Sequence, residues 1–221
     1  MSHEPDDLLD ALAFADGVHA VRASDGLVFL DIDRDAYFCL YARAGADDAD
    51  NATAEAIRAQ LTAHGLVAER PTRNAAARPV TRLWREDCAR NVRPMALRDL
   101  AYFLRALVAA AWRFRRSSLA QMIAHVRAGD IPVPRASHAD VAARFERLCL
   151  WLPFRVDCLF RAFLLLHLLR YHGLSADWIF GVSLFPFHAH CWLANGDLLL
   201  AERVAKVEGF ETIFQIERAS A

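Results

Sequence analysis

The chain has 221 residues, 55% of them hydrophobic, and a net charge of −1. That length fits one large domain, or a small domain beside one of ordinary size, and so even a charge balance points to neither a nucleic-acid nor a membrane partner. Five cysteines without a C-x-x-C pair argue against a disulfide scaffold and a structural zinc ribbon, and suit a reducing cytoplasm.

The start, Met1-Ser2-His3-Glu4-Pro5-Asp6-Asp7, is acidic and lacks a signal-peptide charge pattern. Short alternating runs at His19–Ser24 and Leu27–Ile32 flank Asp25-Gly26, a strong hairpin signal. Asp33-Arg34-Asp35 makes a second turn, and Tyr37–Tyr41 reads as a third strand. An acidic, alanine-rich loop leads to a helix over Thr53–His64, with Ala54, Ile57, Leu61 and Ala63 on one face and Gly65 as its stop. This part reads as a three-strand meander followed by a helix, winged-helix-like in outline.

Pro71, Pro79 and Pro94 punctuate a stretch of little periodicity. Glu69–Pro79 reads as the start of a linker. Residues 73–94 are taken as that linker, between a domain at 1–72 and a second at 95–221. In the second domain, Leu97, Leu100, Phe103, Leu104, Leu107 and Ala111 predict a helix over Met95–Arg113. Ser117 or Ser118 caps another through His125-Val126-Arg127, broken by Gly129, Pro132 and Pro134. Ser137–Leu150 is a third helix, ended by Pro153. Asp157 stands where an N-cap belongs, and a helix runs from Cys158 to Gly173. Strands follow at Asp177–Leu184, His188–Ala194 and Leu198–Val204, the last two a hairpin through Asn195-Gly196. The stretches around 100–112 and 158–169 are interrupted by Arg105 and Arg161, short of the ~18–20 apolar residues that span a bilayer. The fold expected is α+β, with helices first and a small antiparallel sheet last.

Cys158, His190 and Glu202 are the candidate reacting groups. A cysteine attacks as its thiolate, and the first turn of a helix favours an anion. An imidazole on a following strand stabilises that thiolate and later protonates a leaving amine. Strand alternation puts His188, His190 and Trp192 on one face, expected to look onto the Cys158 helix, with Cys191 pointing into the core behind the sheet. Glu202 is the first choice to orient the imidazole. Asp197 is the alternative, although its turn position has an ordinary explanation. Cys39, Cys88, Cys149 and Cys191 read as packing, and His167 as a helix core or interface residue. A metal held by His188, His190 and Cys158 finds no further ligand in the pattern, so no metal is expected.

The stretch 153–202 resembles the lasso-peptide biosynthesis B proteins, transglutaminase-like leader peptidases. Their signature is C-L-x-R, a Gly-Val strand, then A-H-A-W, a turn and an Asp. Cys158 matches the nucleophile, Arg161 the arginine and His190 the histidine; Cys191 replaces the second alanine and Glu202 falls on the Asp. Arg161, His188 and Trp192 are then supporting residues around the site. The meander of the first domain resembles the PqqD-like element that captures leader peptides as an added strand. That resemblance implies contacts at Tyr37, Phe38, Cys39, Leu40 and Tyr41, with Ile57 and Leu61 on the groove helix. It also implies a cysteine peptidase of the bacterial cytoplasm that acts on a lasso precursor and passes the core to an ATP-dependent, asparagine-synthetase-like cyclase. The chain has no G-x-x-x-x-G-K-[ST] loop, so ATP enters only through that partner and no cofactor of its own is expected. Three rivals remain: a Cys-His acyltransferase or transglutaminase, a leader-binding adaptor without catalysis, and a helical interaction protein in which the Cys and His are fortuitous.

Overall fold

The computed structural model describes residues 12–24, 26–41, 51–68, 83–86, 95–128 and 133–217. The turn residue Asp25, the loop before the first helix, most of the 73–94 linker, Cys88 and the Gly129-to-Pro132 breaker lie outside them. The chain forms two compact units. One gathers residues 1–80 with 182–188 and 211–214, and the other takes 81–181, 189–210 and 215–221.

The first unit carries an antiparallel sheet of β1 (Val18–Ala23), β2 (Gly26–Asp31) and β3 (Ala36–Tyr41), in that spatial order. Ala23 pairs with Gly26, which fixes the first hairpin as a tight turn. The second turn is held by the Asp31 carboxylate, which accepts from the amides of Asp33 and Arg34 at 3.1 and 3.0 Å. Helix α1 (Asn51–Ala63) ends at Gly65, whose φ of 70° is the left-handed stop that glycine adopts freely. Phe14, Val18, Ala20, Phe29, Leu61 and Leu66 form the core between sheet and helix. Leu61 is therefore spent on the core. The expectation that it lines an open groove is corrected, because its position on α1 faces Phe14 and Phe29 rather than solvent.

In the second unit, α2 (Leu97–Phe114), α3 (Leu119–Arg127) and α4 (His138–Cys149) precede α5 (Cys158–Tyr171). Ser118 and Ser137 cap α3 and α4 as their side chains accept from the third amide on. Phe160 and residues 162–169 are all buried, so α5 is apolar all round and runs through the centre of the unit. Arg170, near its end, donates to the carbonyls of His125 and Val126 at 3.0 and 2.7 Å, answering orphan acceptors at the end of α3.

The second sheet has five strands in the order β4-β7-β6-β5-β8: β4 (Arg85–Glu86), β5 (Asp177–Ser183), β6 (His188–Asn195), β7 (Leu198–Leu200) and β8 (Glu211–Ile216). Three features differ from the sequence expectation. β4 lies inside the stretch read as a linker and pairs parallel to β7, so the sheet is not purely antiparallel. β7 stops at Leu200 instead of running to Val204, because Ala201 takes a positive φ of 54° and the chain turns into a short helix, α6 (Val204–Val207). β8 was not expected at all.

Asp99 and Arg144 are both buried and joined at 3.0 Å, and the other Asp99 oxygen accepts the Ala96 amide at 2.8 Å, at the start of α2. Removing one member of a buried pair strands the other charge. Asp99→Ala is expected to cost about 3–5 kcal/mol in urea unfolding, and the double change Asp99→Leu/Arg144→Met clearly less; equal losses would show that the pair is not what holds α2 to α4.

Burial and the charges of His125, Arg170 and Arg113 push His167 down to about 4. Between pH 6.5 and 4 the unfolded chain then binds more protons at this residue than the folded one, so stability falls as pH drops through that window. The urea midpoint is expected to decline from pH 7 to pH 4.5 with a slope that His167→Phe flattens. An unchanged slope would assign the decline to other groups.

Candidate active site

Asp157 is the N-cap of α5, its Oδ1 accepting the Phe160 amide at 2.7 Å. Cys158 is the first helical residue, at the positive end of the dipole. Its side chain is hydrogen-bonded to the side chains of His190 and Cys191 and to the Cys191 backbone. The Cys191 hydrogen bond is the largest influence on Cys158; it outweighs burial, and with His190 it holds the thiol down to about 4. Cys191 moves the opposite way: the neighbouring Cys158 and burial raise it well above the usual thiol range, so it keeps its proton and donates it. The helix start and the imidazole both sit at Cys158, which is why the negative charge belongs there.

His190 Nε2 donates to Glu202 Oε2 at 3.0 Å, with both side chains about nine-tenths buried. Nδ1 is the nitrogen left to face Cys158. Burial pulls His190 down, but hydrogen bonds to Cys158 and Glu202 together with the thiolate charge leave it raised. Burial pushes Glu202 up, and His190 and Lys206 override it and bring the carboxyl to about 2. Lys206 Nζ lies 3.1 Å from the same Oε2, and the Arg203 amide donates to Oε1 at 3.2 Å. Thiolate, imidazolium and carboxylate thus form one hydrogen-bonded series.

His190 meets Cys158 as the sequence predicts, but Trp192 and Cys191 depart from the expectation. Trp192 and Ala194 pack on the side of Val207 and Phe210, and His190 stacks on Trp192 with ring centroids 5.9 Å apart. Cys191 and Leu193 look onto α5, sharing a small cavity with Ala162 and Leu165. Cys191 is consequently beside Cys158 and not behind the sheet.

Arg161 Nη2 donates to the Ala201 carbonyl at 2.9 Å and lies 3.8 Å from Glu146. It anchors the turn that delivers Glu202. Asp197 stays in its own turn, where its carboxylate faces Arg85 at 3.5 Å and its carbonyl accepts the Arg85 amide. His188 is exposed at the start of β6. Cys149 is pushed up to about 11, mainly by burial, and burial raises Cys39. No group of three or more potential metal ligands occurs among the described residues. Lys206 and Cys191 were missed as members of the site. The four-residue spacing from Glu202 was a signal for the first; for the second, the only signal was a thiol where the resembled motif has alanine.

The family profile described as the transglutaminase-like superfamily matches residues 101–215, just over half of the chain. The chain belongs to the transglutaminase-like superfamily. Cysteine peptidases and acyltransferases are the enzymes of this superfamily, and the Cys158–His190–Glu202 series lies inside the matched segment. No curated protein and no solved structure matches the chain. Among the described residues, no helix of this transglutaminase-like protein is long and apolar enough to cross a membrane.

With its thiol held at about 4, Cys158 is expected to react with iodoacetamide half-maximally near pH 4, while Cys149 and Cys191 stay silent at neutral pH. His190→Ala removes one hydrogen bond and one positive charge from the sulfur, so the midpoint should move up by about a pH unit or more. A profile that His190→Ala leaves in place would separate His190 from the thiolate.

Proposed function

We propose that this chain is a cysteine peptidase of the bacterial cytoplasm that removes the leader from a ribosomally made lasso-peptide precursor. The observation that carries the reading is the hydrogen-bonded series Cys158–His190–Glu202 within a transglutaminase-like domain. The Cys158 thiolate attacks the carbonyl carbon at the leader–core junction. The charge that develops on the carbonyl oxygen is met by the Cys158 amide at the helix start. His190 gives its Nδ1 proton to the leaving amine, which is the new core N-terminus. A water molecule then surrenders a proton to His190 and releases the leader as a free acid. Glu202 keeps the imidazole in the tautomer that this sequence requires, and Arg161 and Trp192 hold Glu202 and His190 in place.

The first unit is the leader-recognition element in this reading. β3 is an outer strand of its sheet. Tyr37, Phe38, Cys39 and Leu40 on it are half-buried and Tyr41 is exposed, which suits pairing with an added strand. Ile57 on α1 is half-buried and is the helix contact in this reading, whereas Leu61 lies in the core. Binding the leader there raises the effective concentration of the scissile bond at the second unit. The core then passes to an ATP-dependent, asparagine-synthetase-like cyclase. ATP belongs to that partner, and the hydrolysis itself calls for no cofactor or metal. Neither nucleic acid nor membrane has a part in it.

The test is mass spectrometry of a leader–core peptide incubated with the chain, the cyclase and ATP. Wild type is expected to cut one bond, and Cys158→Ala to be slower by at least ~10³-fold. Glu202→Gln should retain binding and lose roughly 10²–10⁴ in rate. Equal cleavage by Cys158→Ala would dismiss the thiol as nucleophile. A new amide formed with an added amine acceptor would make the chain an acyltransferase, and leader binding without cleavage an adaptor.

A further inference from the structure

Two cysteines meet at the site, and the hydrolytic sequence uses only one. Cys191 is buried on β6 and points into the same small cavity as Cys158. The two side chains are in hydrogen-bond contact, and the Cys191 backbone is bonded to Cys158 as well. We propose that Cys158 and Cys191 are a peroxide-modification site, in which Cys191 resolves an oxidised Cys158 as a reversible intramolecular disulfide.

A thiolate at a helix start, half open to solvent, is the form that peroxides oxidise. The Cys158 sulfur attacks one oxygen of hydrogen peroxide. An S–O bond forms, the O–O bond breaks, and the departing hydroxide takes a proton to become water. Cys158 is then a sulfenic acid and carries no charge. The main reason that Cys191 holds its proton so tightly is the neighbouring thiolate, and that reason has gone. Cys191 can now give up its proton to the departing hydroxyl as it attacks the Cys158 sulfur. The S–S bond forms, the S–O bond breaks, and a second water leaves. In balance, two thiols are oxidised and one peroxide is reduced to two waters. A dithiol reductant reverses the step by exchange. Without a resolving thiol, the sulfenic acid goes on to the sulfinic acid, which dithiols do not reduce.

The proposal concerns the sulfur chemistry and does not depend on which peptide the site cuts. The full chain is treated with a small excess of hydrogen peroxide, quenched with a thiol-blocking reagent and mapped by mass spectrometry. Wild type is expected to lose two hydrogens, to yield a peptide pair linking Cys158 to Cys191, and to recover iodoacetamide labelling of Cys158 after dithiothreitol. Cys191→Ala and Cys191→Ser are both expected to gain two oxygens on Cys158 and to lose that labelling irreversibly. Two variants are used because serine keeps the volume of the buried site if alanine disturbs it, and circular dichroism confirms that each is folded. Cys158 sulfinic acid formed equally fast in wild type, a link to Cys39, Cys88 or Cys149 in place of Cys191, or full dithiothreitol recovery in both variants would overturn the assignment.

Discussion

Negative charge on one sulfur atom organises the second unit. It sits at the start of a helix whose sides are buried along almost its whole length, so the only polar environment available to it is at the helix end. Three sources stabilise it there: the helix start, the Cys191 hydrogen bond, and the His190 imidazolium. Each comes from a different constraint of the fold. The first needs Asp157 to begin the helix at Cys158 and not a residue later. The second needs β6 to present its odd-numbered residues to α5. The third needs Glu202 to hold the imidazole from behind. A fault in any one of them leaves the sulfur exposed to burial, which pushes the thiol up and out of its reactive range.

Glu202 is placed by a turn that the rest of the unit holds in position. The carboxylate is not carried on a strand. β7 ends two residues earlier, and Ala201 bends the backbone with a positive φ before Glu202 is reached. Arg161, on α5 itself, ties down the Ala201 carbonyl. The helix that carries Cys158 therefore also anchors the turn that carries Glu202. Lys206 and the Arg203 amide then take up the remaining lone pairs. A buried carboxylate bonded by two cations and an amide is held well below the usual carboxylate range, at about 2. It is a fixed acceptor for His190 and not a proton store.

Legibility in the sequence followed the range of the interactions. Asp157 before Cys158, Ser118, Ser137, and the turns at Gly26 and Gly196 act within a few residues, and each is where local rules put it. Cys158, His190 and Glu202, which the structure brings together, were picked out by a helix start, a following strand and the turn after it. β4 was invisible, because two residues have no period and their pairing with β7 is a long-range event. β8 is formed in the same way, at the sheet edge beside β5. Strand alternation correctly separated Cys191 from Trp192, but it could not say which face met α5. That choice is made by packing: Leu193 and Leu200 line a small cavity with Ala162 and Leu165, while Trp192 packs into the cluster of Ile179, Ala194, Leu199 and Val207.

The place made for Trp192 depends on a glycine. A Cβ at Gly181 on β5 would fall 2.5 Å from the Trp192 ring and 3.0 Å from Phe210, closer than atoms can pack without a shift. The indole lies across that bare backbone, with Trp84 edge-on at 5.9 Å. His190 rests on the indole and on Phe210, at 5.9 and 5.7 Å between ring centres. The imidazole is thus gripped by aromatic surface on its faces, by a carboxylate at Nε2 and by a thiolate on its other side. Neither ring tilt nor tautomer is left free. Orientation of the His190 ring therefore begins at a position with no side chain, one strand away from the imidazole itself.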